Sequence, residues 1–119
     1  DRLECVADTP VLSLGATSSW AQYVIKLPRG ADRAALIQKM EKLGVPTAIY
    51  YPVPMHQQSP YAKYPVSGCK LPVTMDLCDR VLALPMHPYL ELAQQDHITA
   101  SLKDALAQVA LLKISEELT

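Results

Sequence analysis

The sequence predicts a small α/β domain, an α+β fold in which three or four mainly antiparallel strands carry helices packed on one face. Two patterns lead to this prediction. Some segments alternate apolar and polar residues, which is typical of strands, and others repeat apolar residues at helical spacing. The two kinds of segment follow one another along the chain. The chain has 119 residues, of which 50% are hydrophobic, so it is long enough to bury one core.

The first strand is predicted at residues 20–27. Tyr23, Ile25 and Leu27 share one face of this strand and are expected to point into the core. The residues before it, 1–18, show no sustained period and contain turn-forming residues. We interpret them as a linker left from an upstream domain.

A helix is predicted after the first strand. Asp32 has the side chain of a helix N-cap, and Gly44 suits the left-handed backbone just past a helix end. The apolar residues between them fall on one helical stripe and are expected to be buried. These residues are Leu36, Ile37, Met40 and Leu43.

The same patterns predict the remaining elements. In chain order they are a strand at 47–51, an ordered proline-rich loop at 52–72, a short helix capped by Thr74, a buried strand at 81–84 and a long helix at 92–114. The domain is expected to cover residues 19–115, and residues 116–119 are expected to fray.

Composition argues against several classes of protein. The net charge is −1 and the cations are scattered, so neither nucleic acid nor an anionic membrane is expected as a partner. No apolar run approaches the roughly 20 residues of a membrane span. Three irregularly spaced cysteines favour buried free thiols in a reducing cytosol, which predicts a cytoplasmic protein. The chain begins at Asp1 without an initiator methionine, and we interpret it as part of a longer protein.

Common catalytic motifs are absent from the sequence. It contains four glycines, and they form no phosphate-binding loop. The histidines and cysteines are too widely spaced for a common zinc site, and nothing pairs a cysteine with a histidine base. We therefore predict no metal site and no catalytic residue in this chain.

Residues 44–56 carry the most distinctive chemistry. Two prolines after the predicted strand lack backbone donors, so the strand is expected to end there and to present Tyr50, Tyr51 and His56 at the mouth of the fold. Neighbours on a strand point to opposite faces, so either one tyrosine is buried, or both reach the surface because the strand ends. His56 either contacts a ligand or forms a structural hydrogen bond within its loop.

Three short blocks of the sequence resemble, in order and at similar spacing, blocks of the DegT/DnrJ/EryC1/StrS sugar aminotransferases. The blocks are residues 20–25, 44–56 and 81–90. The resemblance implies the C-terminal small domain of a fold type I enzyme that depends on pyridoxal 5′-phosphate (PLP). Such enzymes transfer an amino group from glutamate to a keto-sugar nucleotide. The chain looks most similar to members that aminate a UDP-3-keto-N-acetyl-uronic acid, for cell-surface polysaccharide or amino-sugar biosynthesis.

The resemblance also implies roles for individual residues. Tyr50, Tyr51 and His56 match positions near the sugar nucleotide and the cofactor, which makes them substrate-binding candidates, and many relatives carry histidine where Tyr50 stands. The Schiff-base lysine and most PLP ligands of the family belong to its large domain, outside this chain. The isolated fragment is therefore expected to be inactive, and the full-length protein is expected to be a homodimer.

A protein of a different class also fits the residues. A standalone ferredoxin-like regulatory module would bind a metabolite through Tyr51 and His56 without any large domain. Tight binding of a UDP-sugar by the fragment alone would favour the module over the aminotransferase domain.

Overall fold

Two four-residue strands and three helices of unequal length form the described part of the chain. The computed structural model describes residues 2–68 and 70–117, the last two of these by their backbone alone. In chain order the elements are β1 (Tyr23–Lys26), α1 (Arg33–Lys42), a 3-10 turn (Met55–Gln57), α2 (Pro72–Arg80), β2 (Val81–Leu84) and α3 (Leu92–Glu117). The predicted α/β class is confirmed.

The sheet is smaller than the sequence predicts. β1 and β2 pair in antiparallel fashion, with Tyr23 opposite Leu84. Each is flanked by a single bridging pair, formed by Asp8 with Lys26 and by Ala48 with Ala83. The prediction of three or four strands was therefore wrong for the described part of the chain, because the two outer segments each reach the sheet through one residue.

Prolines explain why the predicted strand at 47–51 is reduced to one pair. Ala48 and Ala83 exchange two hydrogen bonds, with N···O distances of 3.2 and 2.7 Å. Pro46 and Pro52 flank this pair closely, lack backbone donors and restrict the residues before them. The chain therefore leaves the sheet directly after Ala48.

The core lies between one face of the sheet and two helices. Ile25, Leu27 and Leu82 come from the β1–β2 region, and α1 and α3 each contribute one apolar face. The buried apolar residues of these helices are Leu36, Met40, Ile98, Leu102, Ala105 and Val109. Leu3 and Ala7, from the segment interpreted as a linker, also pack into this core. The domain boundary at residue 18 stays a prediction.

Both predicted ends of α1 are confirmed. The Asp32 side chain accepts a hydrogen bond from the Ala35 amide at 2.9 Å. At the other end Gly44 has φ +74°. The Gly44 amide donates to the Glu41 carbonyl and the Val45 amide to the Met40 carbonyl, which is the Schellman arrangement. Leu43, predicted to be buried, is instead exposed because it forms the turn beyond the last helical residue.

Other local predictions need correction. α2 begins with Pro72 at its first position, where a fixed φ suits a helix, so Thr74 lies inside the helix instead of capping it. α3 continues through Glu117, while Leu118 and Thr119 of the predicted frayed tail lie outside the described residues. None of the described helices is long and apolar enough to cross a bilayer.

The cysteines also differ from their predicted burial. Cys5 is exposed and Cys78 is partly buried, so the prediction of buried thiols was wrong for Cys5. Cys69 lies outside the described residues.

Arg80 joins the end of α2 to the end of β1. Its Nε donates to the Leu27 carbonyl at 2.8 Å, and the Leu27 amide donates back to the Arg80 carbonyl at 2.9 Å. Its Nη1 donates to the Asp76 carboxylate at 2.8 Å. The Arg80 side chain is only 16% exposed, so these bonds replace most of its hydration.

Arg33 supports the same junction from α1. Its Nη1 lies 2.6 Å from the Cys78 carbonyl oxygen and 3.1 Å from that of Val81. Arg33 is the first residue of α1, and the last carbonyls of α2 lie within its reach. A cation there also interacts favourably with the C-terminal end of the helix dipole.

Asp8 forms an exposed ion pair with Lys26, at an O···N distance of 3.0 Å. The hydrogen bond and charge of the Lys26 ammonium hold the pKa of Asp8 below the ordinary value of 3.8, and the Arg80 charge adds to this effect. The pair joins the N-terminal segment to β1.

We predict that Arg80→Met lowers the free energy of unfolding by about 2–3 kcal/mol, because the Leu27 carbonyl and Asp76 lose a partly buried charged donor. Arg29 provides the matched control, since it also contacts Asp76, at 2.6 Å, but is 77% exposed. Arg29→Met should change stability by no more than about 0.5 kcal/mol. Urea denaturation of the two variants measures both values, and equal losses would contradict the role given to Arg80.

We predict that Gly44→Ala lowers the free energy of unfolding by about 1 kcal/mol through backbone strain alone. A Cβ at this position would meet nothing within 4 Å, so no clash contributes. Gly44→Asn is the control, because asparagine tolerates the left-handed region better and should lose less. A larger loss for Asn than for Ala, measured by thermal unfolding, would contradict this explanation.

The Asp8–Lys26 pair predicts part of the acid sensitivity of the fold. Because the folded pKa of Asp8 is lowered, its stabilising contribution is present above the unfolded pKa near 3.8 and is lost as pH falls through the folded pKa. Asp8→Asn should therefore flatten the dependence of unfolding free energy on pH in that range. Added salt should shrink the difference from wild type, because the pair is exposed. Identical pH profiles at low salt would contradict this prediction.

Candidate functional site

The candidate tyrosines lie where the chain leaves the sheet. Val45 is buried and Ala48 pairs with Ala83, so the chain is anchored just before them. Tyr50 is 42% exposed and Tyr51 is 69% exposed. Of the two arrangements that the sequence left open, the structure has both rings at the surface, because strand alternation no longer applies beyond Ala48.

The two tyrosine rings contact each other. Their centroids are 5.9 Å apart and their planes meet at 61°, an edge-to-face arrangement. The peptide bond between Tyr50 and Tyr51 is cis. The pair thus forms a single aromatic corner with two hydroxyl groups.

His56 lies in the 3-10 turn that follows this corner. Its side chain is half-buried, and Pro54 two residues earlier is buried. The structural hydrogen bond that the sequence left open for His56 is not formed within the described residues, since its ring has no partner among them. Both ring nitrogens therefore remain available to a ligand.

Two hollows open elsewhere on the domain. The larger has a volume of about 730 Å³ and lies between the β1–β2 sheet and the first turns of α3. Trp20 and Tyr23 line it, with ring centroids 5.6 Å apart. The second, of about 440 Å³, lies between the end of α1 and the start of α3. Neither of these two hollows is lined by Tyr50, Tyr51 or His56.

His87 lines both hollows and was not marked as a site residue from the sequence. Its Nδ1 accepts a hydrogen bond from the Tyr89 amide at 3.2 Å, so the neutral ring carries its proton on Nε2. The sequence signal was a histidine between two prolines directly after β2, which parallels the pattern that marked His56. His97, at the rim of the second hollow, bonds to the Leu43 carbonyl oxygen at 3.0 Å.

The two hollows lack a group that PLP needs. This cofactor requires a lysine amine in a pocket that also binds phosphate. No lysine lines either hollow. Lys26 pairs with Asp8, Lys39 bonds to Gln108 at 2.7 Å and Lys113 bonds to the Gly30 carbonyl at 2.9 Å. Among the described residues, no cluster of three or more histidine, cysteine or acidic side chains could hold a metal ion.

Sequence comparison shows one family clearly. The model of the DegT/DnrJ/EryC1/StrS aminotransferase family matches residues 3–103. UDP-2-acetamido-2-deoxy-3-oxo-D-glucuronate aminotransferase from Pseudomonas aeruginosa is 35% identical over 94 residues, which are 79% of this chain and 24% of that protein.

Solved structures agree with this match. A DegT DnrJ EryC1 StrS aminotransferase from Brucella abortus superposes with a TM-score of 0.81 at 39% identity, over 88% of this chain and 27% of that one. NtdA from Bacillus subtilis, solved with the cofactor PMP bound, gives a TM-score of 0.71 at 32% identity, over 86% of this chain and 23% of that one. The chain thus spans about a quarter of the length of its relatives. On the match over residues 3–103, the chain belongs to the DegT/DnrJ/EryC1/StrS aminotransferase family.

Proposed function

We propose that this chain is the C-terminal small domain of a PLP-dependent aminotransferase and that it closes over a keto-sugar nucleotide. The observation that carries the proposal is the family match over residues 3–103. The exposed aromatic corner of Tyr50 and Tyr51, followed by a half-buried His56 without a partner among the described residues, supplies the contact surface.

The proposed substrate is a UDP-3-keto-N-acetyl-uronic acid, with glutamate as amino donor. The substrate named for the Pseudomonas aeruginosa relative, a UDP-2-acetamido-2-deoxy-3-oxo-D-glucuronate, supports this choice. The bound PMP of the Bacillus subtilis structure supports PLP as the cofactor. We place the full-length protein in the cytoplasm as a homodimer.

Three side chains of this domain are proposed to bind substrate, and none to be catalytic. Tyr50 and Tyr51 offer apolar ring faces to a sugar and hydroxyl groups that donate or accept hydrogen bonds. His56 offers ring nitrogens to a sugar hydroxyl or a phosphate oxygen. When bound, PLP supplies the electron sink for amino transfer. Since no lysine lines a described hollow, we expect the cofactor to be held mainly by residues outside this chain.

The contribution of these residues is orientation and exclusion of water. Fixing a substrate beside a reacting group is worth several kcal/mol of barrier, and small displacements lose much of that advantage. The domain presents its aromatic corner on a segment anchored by buried Val45 and by the Ala48–Ala83 pair, which suits this task.

We predict that Tyr51→Ala and His56→Ala in the full-length protein each raise KM for the keto-sugar nucleotide about tenfold, a loss of about 1.4 kcal/mol of binding. KM for glutamate should stay within about twofold, because these side chains are assigned to the sugar nucleotide. Tyr89→Ala is the matched control, since Tyr89 is 85% exposed and lies on a different turn. Steady-state kinetics with each substrate varied in turn measures these effects.

Two results would contradict the proposal. If both variants keep the wild-type KM for the sugar nucleotide, these residues do not contact substrate. If the wild-type full-length protein, loaded with PLP, transfers no amino group from glutamate to any keto-sugar nucleotide, the proposed function is wrong. The isolated chain is expected to show no turnover and no borohydride-trappable bond between PLP and a lysine.

A further inference from the structure

We propose that Gln58 is a positioning residue that holds His56 in place for the substrate. The inference rests on the proposed function, because it concerns the same contact surface. It assigns no contact with substrate to Gln58 itself.

Gln58 is the centre of the hydrogen bonds that shape the loop around His56. Its side-chain Nε2 donates to the Val53 carbonyl at 3.2 Å, and its amide donates to the Met55 carbonyl at 3.1 Å. Its own carbonyl accepts from the amides of Tyr61 at 2.8 Å and Ala62 at 2.9 Å. The bonds to Val53 and Met55 tie the residues before His56 to the residue after it, and the bonds from Tyr61 and Ala62 hold Gln58 against the turn that follows.

The side-chain bond closes a ring that the backbone bonds alone leave open. Val53 directly precedes buried Pro54, where the loop begins. Among the described residues, the bond from Gln58 Nε2 to the Val53 carbonyl is the one side-chain hydrogen bond between the start of this loop and Gln58. His56 lies inside the ring, between Met55 and Gln57 of the 3-10 turn. A glutamine side chain reaches back five positions here, which fixes the entry and the exit of the turn relative to each other.

His56 depends on this framework because its ring has no hydrogen-bond partner among the described residues. Its orientation is set by the backbone that carries it, not by a bond of its own. Loss of the Gln58–Val53 bond should therefore widen the range of positions that the ring samples, while the buried core stays intact.

Gln57 gives an internal comparison. It is the same residue type, it is adjacent, and it is exposed, but its side chain makes no hydrogen bond within the described part of the chain. A substitution at Gln57 thus removes a side-chain amide but keeps the hydrogen bond between Gln58 and Val53.

The test compares Gln58→Met with Gln57→Met in the full-length PLP-loaded protein. Methionine keeps the length of the side chain and removes the donor. Gln58→Met should raise KM for the keto-sugar nucleotide about fivefold, the equivalent of one ordinary hydrogen bond. KM for glutamate and the thermal unfolding midpoint should match wild type, which a merely structural role would not predict. Gln57→Met should match wild type in all three measurements.

Amide hydrogen exchange supplies a readout that does not depend on turnover. Gln58→Met should speed exchange at the amides of Gln57 and Gln58 and leave that of Ala83 in β2 unchanged. Unaltered exchange at the loop amides would overturn the inference.

The outcomes separate this inference from the proposed function. If His56→Ala raises KM for the sugar nucleotide while Gln58→Met does not, the positioning role is wrong and the proposed function stands. If Gln58→Met raises both KM values together and lowers the unfolding midpoint, the residue is only structural and the inference is again wrong. If the wild-type holoprotein transfers no amino group, the proposed function fails and the kinetic part of the inference fails with it.

Discussion

The structure depends on the hydrogen bonds that Arg80 makes at the junction of α2, β1 and β2. Two strands of four residues cannot form an independently stable sheet, so their ends must be held by other parts of the chain. Arg80 donates a hydrogen bond to the Leu27 carbonyl, just past the end of β1. The carboxylate of Asp76, one turn earlier in α2, balances the charge of the Arg80 guanidinium. Arg33 holds the carbonyls of Cys78 and Val81 from the other side. Polar bonds at this junction thus align the strands whose apolar face the helices cover.

The position of the aromatic corner depends on this small sheet. Ala83 lies in the centre of β2, opposite Val24 of β1 on one side and Ala48 on the other. The segment that carries Tyr50 and Tyr51 is therefore attached to the sheet through one residue pair, and α1 determines where that segment starts. The Schellman turn at Gly44 and the burial of Val45 set the exit of α1. Such an arrangement gives the exposed rings of Tyr50 and Tyr51 a fixed base.

The proposed function gives these exposed groups a physical explanation. The chain spans about a quarter of its relatives, and it presents two tyrosines and a histidine without enclosing them in either hollow. A substrate held between such a surface and a second protein surface would lose water from both sides. In this interpretation the small domain contributes orientation, and its hydrogen bonds within the loop at residues 53–62 matter because they limit the motion of His56.

The sequence alone determined the features that depend on neighbours along the chain. Asp32 and Gly44 bound α1 because caps act on backbone groups within a few residues, and the apolar spacing predicted the long helix that the structure has as α3. The candidate residues Tyr50, Tyr51 and His56 were chosen in the same way, from the prolines beside them, and their role in binding stays a prediction. Only the tertiary structure decided the number of strands, the inward turn of Arg33 and the placement of Leu3 in the core, because each depends on partners distant in sequence. It also decided that both tyrosines reach the surface and that His87 lines two hollows, since local periodicity specifies which residues share a face but not what packs against it.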